Sequence, residues 1–105
     1  MNEQTSRHVF CIEATHPSLA GHFPGQPLVA GVILLQQVAA ALRRERGLSL
    51  GAVMEAKFLA PLLPAQVATL TLLDTGTGRY KFAIYRDDTL LAKGIVEAVA
   101  TEGVA

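Results

Sequence analysis

The chain predicts an α+β fold, a curved antiparallel β-sheet wrapped around one central α-helix, and three observations carry that prediction. A single segment after Gly31 is apolar on nearly every helical face, the remaining patterned segments read as strands, and the later strands follow one another through short turns. A helix apolar all round has to be enclosed, and an open flat sheet would leave one side wet. A curled sheet resolves this.

Taken in order, His8 to Ala14 mixes β-branched and aromatic residues, with Phe10 and Ile12 on one side and Val9, Cys11 and Glu13 on the other, which predicts a first strand. Thr15 to Pro27 then carries Pro17, Pro24 and Pro27 with Gly21 and Gly25, a punctuation that demands a rigid loop, with room for short helical turns near Ser18 to Ala20. The helix spans Ala30 to Arg46. Its apolar residues include Val32, Ile33, Leu34, Leu35, Val38 and Leu42, interrupted only by Gln36 and Gln37 before the basic last turn Arg43-Arg44-Glu45-Arg46. Gly47 follows, suited to the left-handed position that ends a helix. Four strands complete the chain: Leu50 to Phe58, Gln66 to Leu73, Tyr80 to Arg86 and Leu90 to Val99, the last three an antiparallel meander. Small residues Ala92, Gly94 and Ala98 leave room for the helix on that side. Length predicts one domain over residues 1–105, with flexible tails at 1–6 and 101–105, and a size at which association with another subunit helps.

Composition narrows the function classes. Of 105 residues, 50% are hydrophobic and 17% charged, and nine Lys and Arg balance nine Asp and Glu, so neither a nucleic-acid footprint nor a disordered chain is predicted. The lone Cys11 cannot form an intramolecular disulfide and lacks the spaced partners of a zinc site, which fits a reducing compartment and a buried, structural thiol. The longest apolar run, Leu28 to Leu35, is interrupted by Gly31 and falls far short of a membrane span, so a soluble, cytoplasmic protein is expected.

Chemistry concentrates in His22-Phe23-Pro24-Gly25-Gln26-Pro27-Leu28-Val29-Ala30-Gly31, a loop carrying one histidine that runs into the helix. A histidine titrates near neutrality and a helix N-terminus offers free N–H groups, so the segment sets a candidate base beside a candidate anion site. Gly21-His22-Phe23-Pro24-Gly25-x-Pro27 followed by the Gly31 helix start resembles the 3-hydroxyacyl-acyl-carrier-protein dehydratases of bacterial type II fatty acid synthesis. The likeness runs from His16-Pro17 through Lys57-Phe58-Leu59-Ala60-Pro61 to Lys93-Gly94, and is closest to the branch found with aryl-polyene pigment pathways.

That resemblance implies the hotdog fold, a dimer or higher oligomer, and removal of water from a (3R)-3-hydroxyacyl thioester borne on the phosphopantetheine arm of an acyl carrier protein. The product is the trans-2-enoyl thioester, in fatty acid or polyene biosynthesis, and no metal or cofactor is implied. His22 takes the place of the base that removes the α-proton, and the Gly31 amide takes the place of the donor to the thioester carbonyl. Phe23, Pro24, Gly25, Leu28, Val29, Val32 and Phe58 are the residues expected to contact substrate, some of them along an acyl tunnel. The third position, a helix carboxylate fourteen residues after the histidine, is Gln36 here. An amide can hydrogen-bond the departing hydroxyl but cannot exchange a proton with it, and loss of a general acid typically costs roughly 100- to 10,000-fold in rate. A smaller departure is Ala30, where the resembling proteins usually have proline. In those dimers each site joins the histidine of one chain to the carboxylate of the other, so a carboxylate-bearing homologue could complete a site containing His22.

Each residue also has a plainer reading. His22 could satisfy loop backbone groups, Gln36 could be a buried amide bonded across an interface, and Arg43, Arg44 and Arg46 are explained first as helix C-terminal charges, the favoured reading, although they could also meet an acidic carrier or the pantetheine phosphate. Lys57 reads as a solvated strand-end charge or as part of the same docking surface. Three functions follow: a carrier-thioester dehydratase, a catalytically degenerate acyl-binding or heterodimer-partner subunit, and an acyl thioesterase.

Overall fold

In the computed structural model, residues 4–12, 31–63 and 65–100 are described. Strand β1 covers Gln4–Cys11, helix α1 Gly31–Arg46, β2 Leu48–Phe58, β3 Val67–Asp74, β4 Arg79–Arg86 and β5 Thr89–Ala100. The first strand therefore starts well before His8, and residues 4–6 of the expected N-terminal tail belong to it. The predicted loop from 15 to 27 lies outside the described residues, as do 101–105.

Every strand pair is antiparallel, in the order β1-β3-β4-β5-β2. The meander β3-β4-β5 forms the centre, and β1 and β2 are the two edges. Alternation along the strands sends Ala68, Leu70, Leu72, Tyr80, Phe82, Ile84, Ala92 and Val96 to one face, where they meet Ile33, Leu34, Val38, Ala41 and Leu42 of α1. Register shifts at Gly51 and Met54 in β2, and beside Leu91 in β5, add the extra residues that bend a sheet toward its helix. This is the α+β arrangement predicted.

α1 ends as its sequence dictates. Gly47 takes φ 67° and its N–H donates to the Arg43 carbonyl at 3.0 Å, the closure expected of a left-handed terminal residue. Arg46 reaches Asp74 at 3.9 Å, and the hydroxyl of Tyr80, a buried residue, donates to the same carboxylate at 3.5 Å. Burial, reinforced by the Asp74 charge, raises the Tyr80 pKa, with Arg46 opposing.

Three expectations need correction. Cys11 is exposed rather than buried, because the inward face of β1 is the one carrying Phe10 and Ile12. The helix is not enclosed on every side within one chain: Val32 is 60% exposed and Gln36, one turn on, is exposed too. Finally, the room at Gly94 is taken by the neighbouring strands, since a Cβ there would run into the backbone of Glu55 and Ala56 in β2 and the Phe82 ring in β4. The helix rests mainly on β2 and more sparsely on β3. No helix among the described residues is long and apolar enough to cross a membrane.

Candidate active site

The start of α1 opens onto a hollow of about 470 Å³, walled by Gly31 and Leu34 of the helix and by Phe58 to Leu62 of the chain leaving β2. Local chemistry explains this wall. The Leu91 carbonyl accepts N–H bonds from Leu59 at 2.7 Å and Ala60 at 3.2 Å, which draws the chain off the sheet edge, and Pro61 prevents the strand from resuming. Leu62, fully buried, then anchors the segment in the core. Arg86 braces it from β4, donating to the Pro61 carbonyl at 3.0 Å and to Gln66 Oε1 at 3.4 Å, while Gln66 Oε1 also accepts from the Leu63 N–H at 3.0 Å.

Phe58 lies directly over the helix start. A Cβ built on Gly31 would sit 2.9, 3.0 and 3.2 Å from three atoms of its ring, so the glycine lets the aromatic ring close against the first helical turn. The ring remains 49% exposed, leaving it free to swing. The first N–H groups of a helix have no partner within it and carry the positive end of the dipole, so this corner of the hollow can receive a carbonyl oxygen that gains negative charge.

The structure thus brings Gly31 and Phe58 together and sets Val32 and Gln36 apart from them. Gln36 lies five positions after Gly31, a rise of about 7.5 Å and a turn of about 140° around the axis. Gln36 joins Val32 on the outward stripe and does not line the hollow of its own chain. His22, Phe23, Pro24, Gly25, Leu28 and Val29 lie outside the described residues. Among those described, no three His, Cys, Asp or Glu side chains converge as a metal site would require.

Sequence reasoning did not single out Leu62, Gln66 or Arg86, which build and brace the wall, and Leu59 entered only as part of the Lys57 to Pro61 likeness. Pro61 and Pro64 break the strand pattern in the sequence, but nothing in them points to an arginine twenty-five residues after Pro61. Arg43 and Arg44 are exposed at the far end of α1, while Lys57 forms a 3.9 Å ion pair with Glu55 on the sheet's outer face.

Comparison with known proteins agrees with this geometry. Residues 1–95 match the family described as ApeI-like, ApeI dehydratase. A 3-hydroxyacyl-[acyl-carrier-protein] dehydratase FabZ of Chlamydia trachomatis is 34% identical over 74 residues, covering 56% of this chain and 46% of the relative, so the match spans about half the length of that curated protein. The dehydratase heterocomplex ApeI:P from Xenorhabdus doucetiae superposes with a TM-score of 0.80 at 23% identity, over 93% of this chain and 89% of the other. The fluoroacetyl-CoA thioesterase FlK superposes at 0.66 and 15% identity, over 92% and 84%. These two likenesses establish the hotdog fold.

Proposed function

The chain belongs to the ApeI-like dehydratase family, and from that premise we propose that it takes part in dehydration of (3R)-3-hydroxyacyl thioesters carried on an acyl carrier protein. The observation that supports this reading best is the hollow at the start of α1, with Gly31 at its corner and Phe58 across it. In the proposed reaction the thioester carbonyl lies at the Gly31 N–H, which stabilises the enolate as His22 removes the α-proton. The electron pair of that C–H bond becomes the new C–C double bond, and the 3-hydroxyl leaves with one added proton as water. Phe23, Pro24, Gly25, Leu28, Val29 and Phe58 contact the acyl and pantetheine portions of the substrate, and Val32, on the outward stripe, contacts them where a second subunit closes the site.

The added proton is what this chain does not supply at the expected position. Gln36 can orient the leaving hydroxyl by hydrogen bonding, and its place on the outward stripe suits a site completed by a second subunit. β2 gives that subunit a place to pair: among the described residues it is an edge strand with β5 as its one strand neighbour, and Val53 and Met54 are exposed along it. A homologous dehydratase whose helix bears a carboxylate would provide the acid facing His22. Gln36 also favours a second reading, in which this chain is a non-catalytic partner that holds acyl chains. A thioesterase ranks behind both.

Incubation with a 3-hydroxyacyl pantetheine thioester, with and without a homologous dehydratase, tests the proposal. Enoyl product that disappears in His22→Ala is the expected result. Product that persists in His22→Ala at the wild-type rate would assign this chain the supporting role, and release of free thiol would favour hydrolysis.

A further inference from the structure

The outer face of the sheet, turned away from α1, carries a charge arrangement that folding alone disfavours. Across the register, Lys57 of β2 stands directly opposite Lys93 of β5, Lys93 opposite Ala83 of β4, Ala83 opposite Thr71 of β3, and Thr71 opposite Arg7 of β1. Lys81, two residues before Ala83, is the diagonal neighbour of Lys93. Like charges set opposite one another on a sheet face destabilise it. Glu55 offsets Lys57 through their ion pair, but among the described residues no ion pair reaches Lys81 or Lys93.

Those two lysines line an open hollow of about 430 Å³ together with Leu73, Ala83 and Ile95, and with Glu55, whose carboxylate is engaged by Lys57, so Lys81 and Lys93 are the charges the hollow itself leaves unmatched. Two exposed ammonium groups beside an apolar dip complement a protein surface that presents carboxylates around a small apolar knob. β2 links the hollow to the candidate site: Glu55 lines the hollow, Lys57 follows on the same face, and the next residue, Phe58, turns to the other face, where its ring lies on Gly31. A partner seated on Lys57 and Lys93 therefore stands at the strand end that walls the helix start. Arg43 and Arg44, an exposed basic pair on α1, lie about 18 Å along the helix from Gly31.

We infer that this outer-face hollow docks the acidic carrier protein that delivers the acyl thioester, its carboxylates meeting Lys81, Lys93 and Lys57. The inference rests on the carrier-thioester reading above. It is tested by fluorescence-anisotropy titration of labelled phosphopantetheine-bearing carrier into the wild-type protein, Lys81→Gln/Lys93→Gln, Lys81→Arg/Lys93→Arg and Arg43→Gln/Arg44→Gln. Each exposed charge pair contributes up to about fivefold in affinity, so the lysine-to-glutamine pair should weaken binding roughly tenfold and flatten its salt dependence. The arginine replacements at 81 and 93 should hold affinity within about twofold, as should the glutamines at 43 and 44. Unchanged affinity in Lys81→Gln/Lys93→Gln, or a loss that falls on Arg43→Gln/Arg44→Gln instead, overturns the assignment. Turnover of a carrier-free pantetheine thioester by the same assembly is measured alongside. Its absence would count against the dehydratase reading, while the titration still decides the docking surface.

Discussion

Replacing Gly31 by alanine separates the chemistry of the helix start from its stability. The new methyl would lie 2.9 to 3.2 Å from the Phe58 ring, closer than carbon atoms tolerate, so the ring has to move. Because that ring is 49% exposed, it can rotate outward instead of straining the helix. Giving up about 50 Å² of its remaining contact costs ~1 kcal/mol at ~25 cal/mol per Å². Alanine in place of glycine within a helix returns roughly 0.5–1 kcal/mol. The two nearly cancel, which limits the shift in melting temperature to a few degrees for a domain of this size. Activity should respond very differently, because the methyl and the displaced ring occupy the space where the carbonyl meets the amide donor. Loss of one oxyanion donor typically costs roughly 100- to 1,000-fold in kcat. The assay pairs thermal denaturation with turnover of a 3-hydroxyacyl thioester by the active assembly. Retention of activity within about threefold, with the fold intact, would refute the role given to this corner of the hollow.

Gln36→Glu should raise dehydration by the homo-oligomer by roughly 100-fold or more, the typical worth of a general acid; an unchanged rate in a folded variant would show that position 36 is not what limits turnover. Tyr80 has a raised pKa in the folded chain, so the protonated phenol is the form the fold favours. Its contribution is complete below the unfolded value near 10 and is lost as pH rises through the higher folded value. Urea midpoints from pH 8 to 11 should therefore fall less steeply in Tyr80→Phe than in the wild type, and parallel curves would contradict this. Gly47→Ala should lower stability by roughly 1 kcal/mol through its left-handed φ alone, since nothing lies within 4 Å of the added methyl; a denaturation curve superimposable on the wild type would show the cap to be unimportant.

Much of this architecture is legible in residue patterning, because periodicity and turn chemistry are local. The basic last turn and Gly47 end α1 at the predicted residue, and the hairpins at Asp74 to Arg79 and at Asp87-Asp88 join the strands of the predicted meander. Strand ends moved by one to four residues, since pairing with a neighbour extends a strand beyond its own pattern: β1 is carried back to Gln4 by its register with Asp74. Which stripe of α1 stays uncovered was not legible, because Val32 looks like core and only the arrangement of the sheet leaves it out. The brace from Arg86 to the Pro61 carbonyl and the apposition of Lys57 and Lys93 likewise depend on register, including bulges that no single strand announces. Of the candidate site, Gly31 and Phe58 entered the sequence reading separately, as an amide donor and a substrate contact, and the fold sets both on one hollow; Gln36 was read from its spacing to His22 and does not line that hollow.

The central claim is that this chain contributes a base and an oxyanion donor to thioester dehydration while a second subunit contributes the acid. The most direct measurement is the single-turnover rate of enoyl formation from a 3-hydroxyacyl carrier thioester by the chain alone, by a carboxylate-bearing homologue alone, and by their co-purified complex, each with wild-type His22 and with His22→Ala. A complex that outpaces this chain alone by roughly 100-fold or more, with the part of its rate beyond the homologue's own removed by His22→Ala, is the result predicted. A complex no faster than the homologue by itself, and indifferent to His22, would contradict it.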